Sequence, residues 1–154
     1  MQNIRRKDRA IEETEAFDLL NKGEYGILST VDQSGQPYAV PLNYAFKDNC
    51  IYFHSAQHGH KIDNIENNPK VSFCVVGKTN VLPSRFTSEF ESVVVFGVAS
   101  VVHGPEKHKA LLWLLEKYCP EFIEKGKQFI ADKATKVIKV EIEHITGKRA
   151  KIST

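Results

Sequence analysis

Between Ile51 and Asn64 a strand-like run ends in His54 and Ser55, and a short helix opens near Gly59 with His60 and Lys61 in its first turn. The first amides of a helix have no internal acceptor and point at whatever lies beyond the N-terminus. Lys61 adds a fixed positive charge, His60 a titratable one and Ser55 a hydroxyl, a set that suits a phosphate monoester. Cations in a first helical turn oppose the helix dipole, and a bound anion resolves that conflict. The bland alternative is a surface turn whose Lys61 is merely solvated. His54, His58 and His60 also lie close in sequence, but their spacing matches no common zinc pattern, so no metal site is expected.

A second segment, Gly35 to Tyr44, carries Pro37, Pro41 and Asn43. Proline cannot donate to a sheet ladder, so Pro41 belongs at an edge, at a bulge or facing a ligand. Asn43 offers both a donor and an acceptor, as the edge of a flat heterocycle requires. Ordinary sheet edges use the same residue types.

The elements that must position these groups read as mainly β with peripheral helices. A first helix is expected from a cap at Asp8 to Gly23, with Ala10, Thr14 and Phe17 on its stripe. Period-two segments follow at Tyr25–Asp32, Gln36–Phe46, Cys50–Ser55, Lys70–Val76, Ser92–Val102 and Lys136–Ile145, which gives six strands. The helix His60–Asn67 closes before Pro69. Gly104–Pro105 starts another, with Ala110, Leu111, Leu114, Leu115 and Tyr118 on its apolar face, and a shorter one runs from Pro120 to Ile130. Gly77–Glu89 is polar and reads as a mobile loop, a site lid or an interface arm. Ser92–Val102 is apolar on both faces, so both are expected to be covered. Short connections and few crossover helices argue for an antiparallel barrel over a doubly wound sheet. One domain is expected over 1–154.

Composition narrows the function classes. With 42% apolar and 26% charged residues and a net charge of +2, the chain is an ordinary globular one with no broad polyanion-binding face, so no nucleic-acid partner is expected. No apolar run reaches the ~20 residues of a membrane helix, and the N-terminus lacks an apolar core for export. Cys50, Cys74 and Cys119 are odd in number and far apart, as reduced thiols in a cytoplasm would be. Arg5, Arg6, Lys7 and Arg9 read as a solvated basic arm in preference to an anion or partner contact, and Lys148 and Arg149 as a solvated tail in preference to a reach toward a substrate anion. His103 and His108 read as solvated, and His144 as a hydrogen-bonded core or interface histidine on the Ile138, Val140 and Ile142 face.

Taken in order, Tyr25–Thr30, Gly35–Asn43, Ile51–Ser55, Gly59–Lys61 and Asn68–Phe73 resemble the FMN-binding split barrels of the pyridoxamine 5'-phosphate oxidase-like superfamily, and the nitroimidazole-resistance branch most of all. Ser92–Gly97 and Glu143–Lys148 extend the similarity over nearly the whole chain. The resemblance implies a six-stranded antiparallel split β-barrel and a homodimer with FMN at its interface. It implies that Val40, Pro41, Leu42 and Asn43 line the isoalloxazine ring, where His54 and Ser55 approach it. His60 and Lys61 would hold the phosphate, and Ser92 of the partner subunit would close the site. Relatives often carry arginine where this chain has His60, and imidazolium makes phosphate affinity more dependent on pH.

The implied activity is reduction of small acceptors such as nitroaromatics or quinones, with His54 as the proton donor. The C-terminal Trp/Arg signature of vitamin B6 oxidation is missing. So is a Gly-x-Gly-x-x-Gly nicotinamide fingerprint, so an NAD(P)H donor would stack transiently on the flavin. A flavin-binding module without turnover, or the same barrel carrying haem or a deazaflavin, stays open.

Overall fold

The computed structural model describes residues 4–130 and 135–151; Met1 to Asn3 of the N-terminal stretch read above lie outside them. In chain order the elements are β1 (Ala10–Ile11), α1 (Glu13–Lys22), β2 (Gly26–Val31), β3 (Pro37–Leu42), β4 (Ala45–Lys47), β5 (Cys50–Ser55), α2 (His60–Asn67), β6 (Lys70–Leu82), β7 (Thr87–Val102), α3 (Gly104–Tyr118), α4 (Ile123–Ile130) and β8 (Lys136–Ala150). All strand pairs are antiparallel and run in the order β3-β2-β6-β7-β8-β5-β4, with β1 added beside β8.

The two ends of that order, β3 and β4, are joined by Asn43 and Tyr44 alone. The sheet therefore curls until its ends meet at a seam, which is the split-barrel architecture. Its interior holds Leu28, Ile51, Phe53, Phe73, Val75, Val93, Val95, Ile138 and Val140, with Ala16 and Leu20 of α1 and Ile62 and Ile65 of α2. Tyr44 is fully buried at the seam. Its hydroxyl donates to the Leu20 carbonyl, and its ring meets Phe73 edge-on at 4.9 Å. Tyr118 at the end of α3 accepts from the Tyr44 amide (3.0 Å) and donates to the Glu24 carbonyl (2.6 Å), which pins the helix across the seam.

Eight strands replace the six expected. The segment Gln36–Phe46 breaks at Asn43–Tyr44 into β3 and β4, which pair with different neighbours. Pro37 and Pro41 fall on β3, the sheet's end, where a missing N–H costs no ladder bond. The other addition is β1, and it corrects the reading of the N-terminus. Asp8 does not cap a helix but takes a two-point bond from Arg6 (2.8 and 2.6 Å) in a short 3-10 turn. Ala10 and Ile11 then pair with Lys148 and Gly147, and α1 starts only at Glu13. A side chain at Gly147 would strike Ile11 at 2.5 Å, so the glycine lets β1 lie down.

The loop expected at Gly77–Glu89 is instead a hairpin. Strands β6 and β7 stay paired out to Leu82 and Thr87, and Pro83–Arg85 make a 3-10 turn that ends on Phe86 at φ 50°. Most of its residues are at least partly exposed on both sides, so no apolar alternation marks it in the sequence. Burial of β7 is also one-sided in this chain: Val93 and Val95 are inside, while Phe96 is 37% exposed. The regular alternation of β8 is interrupted where Phe96 pairs with His144 and Gly97 with Ile142, leaving Glu143 as a bulge. His144 consequently stacks on Phe96 at 6.4 Å, its Nε2 buried without a hydrogen bond among the described residues. Arg149 is no solvated tail; it lies in β8 and pairs with Glu15 (2.8 Å) and Glu91 (3.3 Å).

Candidate functional site

Two of the chemistry-bearing segments meet at the start of α2. Gly59 precedes the helix at φ 142°, a conformation that side chains rarely adopt, and a Cβ there would meet nothing within 4 Å. The Ile62 and Asp63 amides bond back to the Gly59 carbonyl (2.8 and 3.0 Å), so the His60 and Lys61 amides lack an intrahelical acceptor. No side chain caps this end. The His60 ring packs against Tyr38 of β3 at 4.2 Å, which joins α2 to the edge strand. From the far side Asn64, 3% exposed, donates to the Thr30 hydroxyl (2.9 Å), and Gln33 donates to Asn67 (2.5 Å). The helix start is thus fixed by β2 and β3 together.

Ser55 ends β5, four residues before Gly59. It is 6% exposed, and its hydroxyl has no hydrogen-bond partner among the described residues. A buried hydroxyl left unpaired costs about 1–3 kcal/mol. Lys61 is half-buried and forms no ion pair or hydrogen bond among the described residues. An unpaired buried hydroxyl, free helix-start amides and an unpaired ammonium share one deficit, which an oxyanion fills. The residues present fit a phosphate group.

His54 and Asn43 belong to a different surface. Successive strand residues point to opposite faces, so His54 and Ser55 diverge. Phe53 faces the barrel interior, while Tyr52 lies with Val102, Ala110, Val137 and Trp113 under α3. His54 joins Asn43, Leu111, Leu114, Leu115 and Ile130 around a largely apolar cavity of about 300 Å³ beneath α3 and α4. This cavity and its helical wall were not foreseen. The apolar stripe of α3 was visible in the sequence, but not that it stops short of filling the space.

Along β3, Val40 and Leu42 pack toward the core, and Pro41 and Asn43 are exposed. What β3 can offer a ligand is its unpaired outer backbone edge together with Asn43. Ser92 is not brought to this group within one chain. Pro41, Ile27, Cys74 and Val94 lie in consecutive register, which puts Val94 three strand spacings, about 14 Å along the sheet, from β3, with Ser92 two residues beyond.

Burial pushes the Cys50 and Cys74 thiols above their ordinary pKa, as for inert packing groups. Among the described residues no group of three or more His, Cys, Asp or Glu side chains is arranged to hold a metal, and no helix is long and apolar enough to cross a membrane.

The family model described as pyridoxamine 5'-phosphate oxidase matches residues 12–149. The chain belongs to this family. Among solved structures, a candidate 5-nitroimidazole antibiotic resistance protein from Bacteroides thetaiotaomicron is 20% identical, with a TM-score of 0.73 over 91% of this chain and 86% of that one. A FAD-binding protein from Mesorhizobium loti is 27% identical, with a TM-score of 0.65 over 93% and 98%. The haem-storage protein HutZ from Vibrio cholerae is 16% identical, with a TM-score of 0.68 over 89% and 94%. No curated protein matches the chain. Proteins named as FAD-binding and as haem-storing thus share this fold, so the fold alone does not choose between the two cofactors.

Proposed function

We propose that this chain is an FMN-binding oxidoreductase that reduces small planar acceptors such as nitroaromatics or quinones. The observation that carries the cofactor is the buried, unpaired Ser55 hydroxyl at the end of β5, the strand that leads into the uncapped start of α2 and Lys61. When bound, the flavin supplies the electron transfer. The Ser55 hydroxyl and the Lys61 ammonium hold its phosphate, with His60 kept in place by Tyr38. The free edge of β3 and the Asn43 amide orient its ring. His54 holds a proton at the mouth of the apolar cavity, where an acceptor of one or two rings fits in about 300 Å³. Leu111, Leu114 and Leu115 exclude water from that space.

The working unit in this reading is a homodimer in a reducing, cytoplasmic compartment, with Ser92 of the partner subunit completing the site. Exposed Val76, Val81, Phe86 and Phe96 on the β6–β7 face support a second copy there, and the three free cysteines support the compartment. An NAD(P)H donor would act by transient stacking.

A visible spectrum of the purified protein tests the cofactor: flavin bands with equimolar FMN are expected, and a Soret band would transfer the reading to haem. Anaerobic mixing with NADH or NADPH, followed by a nitroaromatic or a quinone, tests the reaction. Flavin that stays oxidised with both donors would leave a binding module without turnover.

A further inference from the structure

Two basic segments that the flavin reading leaves unused, Arg5–Arg9 and Lys148–Lys151, are brought together by the pairing of β1 with the end of β8. Between them and the tip of the β6–β7 hairpin lies a cavity of about 520 Å³, walled by Arg6, Arg9, Arg149, Lys151, Thr87 and Ser88. That volume is in the range of small-molecule sites. Four cations and a single carboxylate, Asp8, line it. Arg6 donates to Asp8, and Arg149 to Glu15 and Glu91, each through two N–H groups, which leaves the remaining N–H groups of both guanidinium ions open to a ligand. The Arg9 and Lys151 side chains have no ion pair or hydrogen bond among the described residues. Even counting Glu15 and Glu91 behind Arg149, positive charge is left over, and two hydroxyls face it.

We infer that this cavity is a second anion site, separate from the α2 site, that takes an organic phosphate of nucleotide size. The N–H groups that the carboxylates leave open can donate to phosphate oxygens, and unpaired cations gain most when a dianion neutralises them. A compact cleft bounded on one side by a hairpin suits a small molecule; a nucleic-acid strand would need an extended basic track.

The test is calorimetric titration of ADP into the full-length protein, with and without saturating FMN, using adenosine as the phosphate-free control. ADP is expected to bind with one saturable site in both conditions, more weakly as salt rises, and adenosine is expected not to bind. The double variant Arg9→Ala/Lys151→Ala should weaken ADP about tenfold or more, while Lys61→Ala leaves it unchanged. Because neither side chain makes an ion pair or hydrogen bond among the described residues, an unchanged melting temperature for the double variant checks its folding. Absence of saturable ADP binding would overturn the inference. So would equal binding of adenosine, or loss of ADP binding in Lys61→Ala or in excess FMN, since either loss would move the ligand to the α2 site. A chain that binds ADP in this way but not FMN would keep this site and remove the flavin reading.

Discussion

Replacing Ser55 with alanine should move stability and flavin affinity in opposite senses. In the free protein the Ser55 hydroxyl is desolvated, in a residue 6% exposed, without a hydrogen-bond partner among the described residues. Alanine removes the unpaired group and leaves a void of about one oxygen atom. The penalty relieved is about 1–3 kcal/mol, reduced by the packing lost, so a net gain of about 1 kcal/mol is expected. For a chain of this size that corresponds to about 2–4 °C in melting temperature. Once a phosphate is bound, the same hydroxyl makes a charge-assisted hydrogen bond of about 1.5–3 kcal/mol, which raises Kd about 10- to 150-fold in the variant. The assay pairs urea or thermal unfolding of flavin-free protein with fluorescence titration of FMN. A variant less stable than the parent would show that the hydroxyl has a partner in the free protein. Unchanged FMN affinity would show that Ser55 does not face the phosphate, and either result refutes the reasoning.

Lys61→Ala should leave flavin-free stability unchanged, because Lys61 has no partner to lose, while weakening FMN by about 1.5–3 kcal/mol in the same titration. His54→Ala should retain FMN, since its side chain lies on the α3–α4 cavity, yet slow acceptor reduction about 10²- to 10⁴-fold in stopped-flow kinetics. Gly97→Ala should cost about 2–3 kcal/mol in urea unfolding, because a Cβ there sits 2.2 Å from the Glu141 carbonyl, a backbone atom beside the β8 bulge that cannot swing away. Lys117 gives a pH test. Its ammonium is buried over the Tyr44 ring at 3.9 Å without a hydrogen bond among the described residues, and burial lowers its pKa from 10.5 to about 8. Between those values the unfolded chain holds more protons than the folded one, so stability should rise from about pH 8 to 10.5. Lys117→Met should abolish that rise in a series of urea midpoints, and an unchanged slope would assign it to another group.

What could be read from the residues, and what could not, divides along physical lines. Helix α2 runs over the expected residues because its limits are local: Gly59 before it and Pro69 after it. The turn at Asp48 and Asn49, both at positive φ, follows from residue types that tolerate that conformation. The start of α1 was misplaced because Ala10 and Ile11 are claimed by β8, a partner more than 130 residues away that no local rule can weigh. The hairpin past Gly77 was missed for the converse reason. Its residues bury neither face, so backbone pairing holds it with contacts such as Asn80 to Glu89 at 3.1 Å, and period-two burial never appears. At the site, Ser55, His60 and Lys61 were identifiable as types, whereas the unpaired state of Ser55 and the Tyr38–His60 contact exist only once β3 is docked.

The division of labour along β5 follows from the same geometry. Alternation sends Ser55 inward and His54 outward, so under the proposed function one short strand would supply a phosphate ligand on one face and a proton carrier on the other. A cofactor held by the first and an acceptor handled by the second can meet only where the sheet is open. That place is the seam at Asn43–Tyr44, the boundary between β3 and β4. Asn43 stands there and lines the apolar cavity as well as the cleft beside Pro41 and Leu42. Tyr44 holds the seam in place through Leu20, Phe73 and Tyr118. A closed barrel would pair the β3 edge and bury Asn43, leaving the phosphate grip intact but with nothing for the ring to reach. The break in the second strand is therefore the feature on which the flavin reading depends most.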